Sequence, residues 1–449
     1  MTYQVPQQID KDKIFIVRKS EIRGRLEPEF YKTTIVQLEE KICSKSTKRL
    51  RSYALSFAGG ATPSKKEFEK YYSDSSNGIP FLRVQNLKTT GELSLDACLY
   101  INDETHNGLL KRSQVSEGDL LIKITGVGRM AIASVAPKAF IGNTNQHIVV
   151  VKTGNIEISK YLAHYLNLDI VEKIASRYST GGTRPALDYP SLKNIPIIDN
   201  LDFSLVDNAI KSKKEKELEA EFLLESIDEY LLNELGITLP KVEDTLDKRI
   251  FVSSFQKIGD NRIDPLFSLY LGKNALSDKY DNVYLCSIAH ILKGNSITSA
   301  NIEPGDVPVI AGGQTSPYSH NKSNFEGNII TVSASGAYAG YVWYHDYPIY
   351  ATDCCIIFSK DETRFVTRYL FEVLKFQQKT IYRLQTGAAQ PHVYAADLRM
   401  LNIPVVSLDK QQEIVDHIAS IRNRASSLQK EGTSILENAK HEIEKVIVG

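Results

Sequence analysis

The chain has 449 residues, of which 42% are hydrophobic and 24% charged, and its 54 basic and 54 acidic side chains cancel. This composition is typical of a soluble globular protein of two or three domains, and no apolar run approaches the roughly 18 residues of a membrane span. The polar start MTYQVPQQIDKDK is unlike a signal peptide, and the five cysteines lack a C-x-x-C pair. We therefore expect a cytoplasmic protein with reduced thiols, no membrane contact, no disulfide frame and no metal site.

The neutral total hides an uneven distribution of charge along the chain. Residues 1–200 carry 28 basic and 21 acidic side chains, a net charge of +7, whereas residues 201–248 carry 6 and 13, a net charge of −7. A positive domain beside a negative connector favours a polyanion-binding domain held by a solvated scaffold. Chance segregation is the alternative, above all for the second half, which is nearly neutral.

Residues 1–200 predict one α+β domain, and residues 201–248 a helical connector. Apolar runs bounded by turn residues predict strands at 78–84, 120–124 and 147–151, and a helical stretch follows over 159–179. From 205 to 235 the sequence is polar, with apolar side chains spaced four, three and four residues apart, which predicts a helix packed along one face: Ala220, Leu224, Ile227 and Leu231. Gly236 supplies the stop of this helix.

Residues 249–405 predict a second domain of the same kind, because the chain repeats itself. The segment KIFIVRKSEIRGRLEPEFY at 13–31 recurs with one insertion as RIFVSSFQKIGDNRIDPLFSLY at 249–270. Strands are expected at 307–311, 328–333 and 354–358, and a helix over 364–379. Further matches keep their order along both copies: 118–121 with 327–330, 161–162 with 369–370, 180–185 with 386–391, and 195–196 with 403–404.

Residues 406–449 predict a long helix that packs lengthwise on another helix. Apolar positions follow a seven-residue repeat: Ile414, Ile418, Ile421, Ala425, Leu428, Ile435, Ala439 and Val446. The simplest partner is the central helix, and we expect an antiparallel coiled coil that places the two domains at opposite ends, related by a pseudo-twofold axis. About 35 residues at ~1.5 Å each give a rod on the order of 50 Å, longer than one turn of B-DNA at about 34–36 Å. In the alternative, each helix only caps its own domain.

The sequence contains binding groups but lacks the usual catalytic motifs. We find no G-x-x-x-x-G-K-[ST] phosphate loop, no nucleotide-binding G-x-G-x-x-G, no amino-methyltransferase motif and no clear nuclease cluster. Polar side chains that pair with base edges or phosphates are frequent in the expected loops. The candidate DNA-binding residues are Arg83, Gln85, Asn86, Lys123, Arg129, Asn145, Gln146, Thr180 and Arg184 in the first copy, and Gln314, Tyr318, His320, Asn321, Lys322 and Gln390 in the second. For any one of them, a solvated turn residue is the alternative.

The paired loops at 179–185 and 385–391 are the most specific of these features, because the repeat itself identifies them. Their glycines permit close backbone approach, either to DNA or to the adjoining helix. Arg184 and Gln390 occupy equivalent places, as expected of two domains that read different sequences.

At this point the chain resembles the specificity (S) subunit of type I restriction–modification enzymes. The resemblance covers nearly the whole length. It depends on GGATPS at 59–64, GIPFLRVQNL at 78–87, EGDLLIKITGVG at 117–128, the glycine–proline loops, and LKNIPII and LNIPVV before the helices. It implies two repeated target-recognition domains joined by two long helices. It also implies that this chain binds no cofactor and reads a split site on double-stranded DNA.

The resemblance further implies the partners. Two methyltransferase (M) subunits would bind S-adenosylmethionine and methylate adenine N6 after flipping the base out of the duplex. Restriction (R) subunits would supply ATP- and magnesium-dependent cleavage. Two other hypotheses stay open: a protein-binding adaptor of a related defence system, and a self-sufficient DNA-modifying enzyme with an unrecognised active site.

Overall fold

The computed structural model describes residues 10, 12–22, 24–46, 48–238, 252, 276–387 and 389–449. It divides into a first unit, residues 1–216 with 430–449, and a second unit, residues 217–429. The repeated segment predicted at 249–270 lies outside the described residues, apart from Val252. Within the described part of the chain, no helix is long and apolar enough to span a membrane.

The body of the first unit is built on two sheets. A four-stranded antiparallel sheet has the order β2-β10-β7-β8, and a five-stranded sheet has the order β3-β5-β4-β9-β6 with β4 and β9 parallel. The strands are β1 (Lys48–Arg49), β2 (Ser56–Gly59), β3 (Tyr72–Ser73), β4 (Ile79–Leu82), β5 (Leu99–Ile101), β6 (Gln114–Ser116), β7 (Leu120–Lys123), β8 (Ala133–Val135), β9 (Ile141–Thr144), β10 (Ile148–Lys152) and β11 (Pro196–Ile197). The helices are α1 (Thr33–Lys45), α2 (Phe68–Tyr71), α3 (Asp103–Asn107), α4 (Ile156–Leu166), α5 (Asp169–Tyr178), α6 (Tyr189–Lys193) and the start of α7 (Ser204–Leu235).

The central strands of the four-stranded sheet are apolar without interruption because both of their faces are covered. Leu120 and Ile122 of β7 pack on one face with the α4 and α5 side chains. Leu121 of the same strand packs on the other face with Leu82 and Val115 of the second sheet. The predicted strands at 120–124 and 147–151 are confirmed as β7 and β10.

The second unit repeats this plan. Its four-stranded sheet has the order β15-β21-β18-β19, and its second sheet has the order β17-β16-β20 with β16 and β20 parallel. The strands are β12 (Ile237–Thr238), β13 (Leu276–Ser277), β14 (Asn282–Tyr284), β15 (Ala289–Lys293), β16 (Val307–Ile310), β17 (Ser319–His320), β18 (Ile329–Ser333), β19 (Val342–His345), β20 (Tyr350–Ala351), β21 (Cys354–Ser359) and β22 (Asn402–Pro404). The helices are α8 (Leu285–Ile288), α9 (Thr367–Phe376), α10 (Gln378–Arg383), α11 (Ala395–Arg399) and α12 (Leu408–Val448), which ends in the first unit.

Both helical stretches predicted after the strands are broken in the structure. The stretch 159–179 forms α4 and α5, and 364–379 forms α9 and the start of α10. In the first unit the break occurs at Asn167, whose side-chain amide donates to the Ala133 carbonyl at 2.7 Å and accepts from the Ala133 N–H at 3.2 Å. These two bonds to the edge strand β8 coincide with the end of α4. The apolar periodicity alone does not predict this break.

The two long helices α7 and α12 run antiparallel, as predicted. In the second unit, Ala220 packs against Ala425 and Leu428, and Lys410 pairs with Glu234 at 2.6 Å. In the first unit, Lys216 pairs with Glu431 at 2.8 Å. Gly432 of α12 faces the backbone of Lys213 so closely that a Cβ atom would crowd it. Small residues therefore permit the close contact of the two helices.

At two places the buried face of a helix differs from the apolar positions that the sequence predicted. Leu224 is 41% exposed, and its neighbour Leu223 packs on the Ala220 cluster instead. Val446 is 65% exposed, whereas Ile443 and Ile447 are buried in the core of the first unit. A straight helix has 3.6 residues per turn, so a 3.5-residue pattern drifts off the contact face over this length.

The remaining predicted packing residues are distributed between the helix contact and the domain cores. Ile421 and Ile435 are half-buried, and Leu428 is fully buried. Four others belong to the main core of the second unit: Ile227, Leu231, Ile414 and Ile418. The helices thus contact each other and also form part of the domain cores.

Candidate nucleic-acid interface

Four loops of the first unit meet at one end of its four-stranded sheet. We call residues 59–64, 124–129, 144–147 and 180–187 the first loop cluster. The Ile124 N–H donates to the His147 carbonyl at 2.9 Å, and the Gly126 N–H donates to the Pro185 carbonyl at 3.0 Å. A Cβ atom at Gly60 would overlap with the Thr144 carbonyl, so only glycine fits there.

The second unit contains the same arrangement, formed by residues 293–295, 334–337, 351–353 and 386–393, the second loop cluster. The Ala334 N–H donates to the Asp353 carbonyl at 3.2 Å, and the Gly336 N–H donates to the Pro391 carbonyl at 3.0 Å. A Cβ atom at Gly294 would overlap with the Thr352 carbonyl. The two clusters therefore share one hydrogen-bonded frame, which places His147 and Asp353 at equivalent positions.

The glycine–proline loops have the same closed form in both clusters. Thr180 and Ala186 exchange two backbone hydrogen bonds of 2.9 and 2.8 Å, and Thr386 and His392 exchange bonds of the same lengths. Gly181 and Gly387 have φ angles of +99° and +94°, which L residues rarely adopt. The glycines are thus required by the loop itself, and neither predicted reason, approach to DNA or to a helix, is needed.

Arg184 and Gln390 lie at equivalent places in these loops, and both side chains are exposed. In the first cluster, Gln146 is also exposed and its amide oxygen accepts a hydrogen bond from the Thr62 hydroxyl. Burial and then the nearby Arg184 charge lower the pKa of His147. The first cluster therefore presents an arginine, an amide and a neutral imidazole side by side.

Three candidate residues of the first copy are buried and bonded within their own loops. The Asn86 amide donates to the Ser94 carbonyl at 2.9 Å, and the Asn145 side chain accepts from the His147 N–H at 3.1 Å. The Lys123 amine donates to the Val127 carbonyl at 2.8 Å, and burial lowers its pKa. These side chains hold the loops, which differs from their predicted role as direct DNA contacts.

Two candidate arginines also have internal partners. The Arg129 guanidinium pairs with the Asp169 carboxylate, and it donates to the Asn167 carbonyl at 2.5 Å. The Arg83 guanidinium donates to the Ala97 carbonyl at 2.8 Å, while Gln85 beside it is exposed. Arg129 therefore fixes the loop after β7 to the start of α5.

In the second copy, the segment 312–322 follows β16 and adjoins the second loop cluster. The Ser333 hydroxyl donates to the Gly313 carbonyl at 3.3 Å, next to Gln314, which is exposed. Tyr318 is 60% exposed, and Asn321 and Lys322 are exposed, although the Asn321 amide bonds to Glu303. His320 is buried, and its Nδ1 atom accepts from the Glu303 N–H at 3.1 Å, so His320 supports the loop.

Sequence reasoning missed several cluster residues. Thr62 bonds to Gln146, and the Ser335 hydroxyl donates to the Asp353 carboxylate. The sequence gives no signal for either pair, because the partners lie 84 and 18 residues apart along the chain. Among the described residues, no group of three or more His, Cys, Asp or Glu side chains is arranged to hold a metal ion.

Comparison with known proteins agrees with this two-copy organisation. A family model described as the type I restriction modification DNA specificity domain matches residues 48–198 and 277–438. These stretches make up more than half of the 449 residues and contain the two loop clusters. No curated protein matches the chain.

Solved structures with similar chains include three that overlap with most of this chain. An S subunit from M. genitalium is 15% identical over 89% of this chain and 94% of its own, with a TM-score of 0.40. A chain from a study of assembly and conformational transition of the type I system is 15% identical over 89% and 95%, with a TM-score of 0.42. The HsdS subunit from Thermoanaerobacter tengcongensis is 14% identical over 89% and 96%, with a TM-score of 0.33.

The family assignment follows from the match of the domain model to both copies, over the β-strands and loops described above. The chain belongs to the type I restriction-modification DNA specificity family.

Proposed function

We propose that this chain is the DNA-specificity subunit of a cytoplasmic type I restriction–modification complex. In this proposal each loop cluster reads one half of a bipartite target, and the α7–α12 pair docks the methyltransferase and restriction subunits. The observation that carries it is the shared frame of the two clusters, with Gly126 bonded to Pro185 and Gly336 to Pro391 at the same 3.0 Å. Two domains that recognise different base sequences need the same loop backbone with different exposed side chains, and the two clusters have both properties.

The exposed side chains have the chemistry of base readout. Arginine pairs with the O6 and N7 atoms of guanine, and glutamine with the N6 and N7 atoms of adenine. Arg184 is therefore assigned to a guanine in one half-site and Gln390 to an adenine in the other. Lys322 is assigned to a phosphate, which fixes position without reading sequence.

The chemical steps are assigned to the partner subunits. The methyltransferase subunits would bind S-adenosylmethionine, and the restriction subunits would bind ATP and magnesium. The chain described here contributes recognition and geometry alone.

Co-expression with the methyltransferase subunit, in a host without adenine methylation, tests this function. Sequencing of modified bases should reveal adenine-N6 methylation in a bipartite motif, and the motif should vanish when this gene is deleted. A motif that persists after the deletion would contradict the proposal. Methylation by the purified chain alone would instead support a self-sufficient enzyme.

DNA binding by the assembled complex gives an independent test. Affinity should fall steeply between 50 and 200 mM salt, because phosphate contacts release counterions. Charge reversal by Arg184→Glu should abolish binding to the target. Arg364→Glu is the matched control, because Arg364 is exposed and follows the end of β21 opposite to the second loop cluster. If Arg184→Glu left restriction and methylation intact, a protein-binding adaptor would be favoured.

A further inference from the structure

The last turns of α12 supply the cap of α5, a helix of the first unit that has no local cap. The residue before α5 is Leu168, whose side chain makes no cap bond. One carboxylate oxygen of Glu444 in α12 instead accepts from the N–H groups of Asp169 and Ile170, at 2.5 and 3.1 Å. A negative group at this end pairs N–H groups that the helix leaves free, and it matches the helix dipole. The cap of α5 therefore comes from a residue 275 positions further along the chain.

Glu444 is held in this place by its surroundings. Its side chain is buried, and Ile443 and Ile447 beside it belong to the core of the first unit. The Lys45 amine of α1 donates to the Ile447 carbonyl at 2.7 Å, at the end of α12 where a positive group is favoured. His441 lies 3.7 Å from the second carboxylate oxygen of Glu444. The carboxylate thus has a fixed position against the start of α5.

The capped end of α5 also holds the loop that follows β7. The Asp169 carboxylate pairs with the Arg129 guanidinium, which donates in addition to the Asn167 carbonyl at 2.5 Å. The Met130 N–H donates to the Glu172 carboxylate of α5 at 3.3 Å. Arg129 is the last residue of this loop in the first loop cluster. A shift of the first turn of α5 would therefore move a loop of the first cluster.

The equivalent loop of the second cluster is held by a different bond. Ala339 stands at the place of Arg129, three residues after the glycine that bonds to a proline carbonyl. The Gln385 amide donates to the Ala339 carbonyl at 2.7 Å. The corresponding helix α10 follows Gln377, whose amide bonds to the Asn402 carbonyl and not to the helix. A change at the end of α12 should therefore affect the first cluster and leave the second as it is.

We propose that Glu444 is a positioning residue for the reading of one half-site, because it fixes the loop after β7 through α5 and Arg129. This inference rests on the proposed function, in which the first loop cluster reads one half of the target. The Glu444 carboxylate fixes the first turn of α5, Asp169 in that turn orients Arg129, and Arg129 ends the loop. The last turns of the chain thereby determine how precisely the first domain discriminates between bases.

Base-resolved binding selection with the assembled complex tests the inference. Glu444→Ala removes the acceptor, so discrimination should fall by about fivefold in one half-site and stay unchanged in the other. Glu444→Gln keeps an oxygen that can accept from both N–H groups, so it should retain the specificity of the wild type. Glu442→Ala is the matched control, because Glu442 is exposed on the same helix and pairs with Lys445 at 2.7 Å.

A second variant tests the link from α5 to the loop without removing the cap. In Asp169→Asn the backbone N–H still bonds to Glu444, but the neutral amide holds Arg129 more weakly. The same half-site should therefore relax. Because both changes act through one series of contacts, the double variant should relax that half-site no further than the larger single effect. Effects that add, or that fall on different half-sites, would overturn the inference.

Hydrogen exchange of the full chain, measured by mass spectrometry, separates positioning from loss of the fold. Glu444→Ala should speed up exchange in peptides that cover 124–129 and the start of α5, and leave 334–337 unchanged. Asp169→Asn, which keeps the cap, should speed up exchange in 124–129 alone, and it provides the test where Glu444→Ala does not fold. An unchanged loop in Asp169→Asn would overturn the inference.

The outcomes separate this inference from the proposed function. A wild-type complex that binds DNA without sequence preference would contradict the proposed function itself. A specific wild type whose Glu444→Ala variant reads both half-sites as before would overturn only the positioning role. Equal loss of discrimination in both half-sites would also overturn it, since Glu444 would then act on overall stability.

Discussion

In both domains, side chains at or beside a break between two helices bond to the backbone of one residue in the edge strand of the four-stranded sheet. The residue types that make these bonds differ between the two domains. In the first domain, Asn167 alone bonds both the N–H and the carbonyl of Ala133 in β8. At the equivalent place of the second, the Lys375 amine donates to the Val342 carbonyl at 3.1 Å, and Gln378 accepts from the Val342 N–H at 2.9 Å. The fold therefore requires that these two backbone groups be paired, and leaves open which side chains pair them.

The largest effect is expected where one side chain makes both bonds. Asn167→Ala should lower the unfolding free energy by about 3 kcal/mol, because a buried N–H and a buried carbonyl lose their partners together. Denaturant titration of the full chain measures it, and Asn208→Ala, at an exposed position of α7, should change stability by less than about 0.5 kcal/mol. A loss equal to that of the control would show that water replaces the amide at no cost.

The paired loops extend the comparison to recognition. Arg184→Ala should cost about 2 kcal/mol of binding free energy and relax specificity in one half of the target alone. Gln390→Ala should do the same in the other half. Base-resolved binding selection with the assembled complex measures both, and relaxation of the same half by both variants would contradict the assignment of one domain to each half.

A third pair of equivalent residues, Lys123 at the end of β7 and Ser333 at the end of β18, bonds to the backbone of a nearby loop in each domain. Lys123→Met should cost about 1 kcal/mol, because the hydrogen bond to the Val127 carbonyl is lost. Ser333→Ala, which removes only a 3.3 Å bond to Gly313, should cost about 0.5 kcal/mol. Thermal unfolding measures the loss of stability in each variant. A larger loss in Ser333→Ala than in Lys123→Met would contradict this prediction.

The smallest effect at neutral pH is expected at Lys375, where a lost hydrogen bond is offset by relief of a buried charge. Burial, and then the Arg422 charge, lower the Lys375 pKa to about 8. The unfolded state then binds more protons between pH about 8 and about 10.5, so the stability of the wild type should rise with pH across that window, by at most ~1.4 kcal/mol per pH unit. Lys375→Met should remove this rise, while Asn167→Ala should keep it. A wild type without any alkaline rise would contradict the lowered pKa.

Much of this architecture could be predicted from the sequence. The strands β7, β10, β18 and β21 are long apolar runs between turn residues, and the repeat fixed their equivalence. The apolar spacing predicted the two long helices, but it did not determine that they pair antiparallel. The break at Asn167 was missed because its cause is a bond to Ala133, 34 residues away along the chain.

The candidate interface was predictable only in part. The repeat identified Arg184 and Gln390, whose exposure agrees with a reading role. Asn86, Lys123 and Asn145 have the residue types of DNA contacts, but each one bonds to its own loop. Whether a polar side chain after a strand points outward or pairs with backbone depends on loop geometry, which residue type does not determine. Leu223 and Leu224 likewise differ by one helical position, about 100°, which a short apolar pattern cannot resolve.

The closure of the glycine–proline loop has a consequence for how the family can vary. Thr180 and Ala186 seal the base of the loop through backbone atoms, and Thr386 and His392 do so in the second copy. Residues at the tip, such as Arg184 and Gln390, take no part in that seal. Substitutions at the tip should therefore leave the fold of the domain intact. New side chains at these positions can change what the loop recognises without loss of stability.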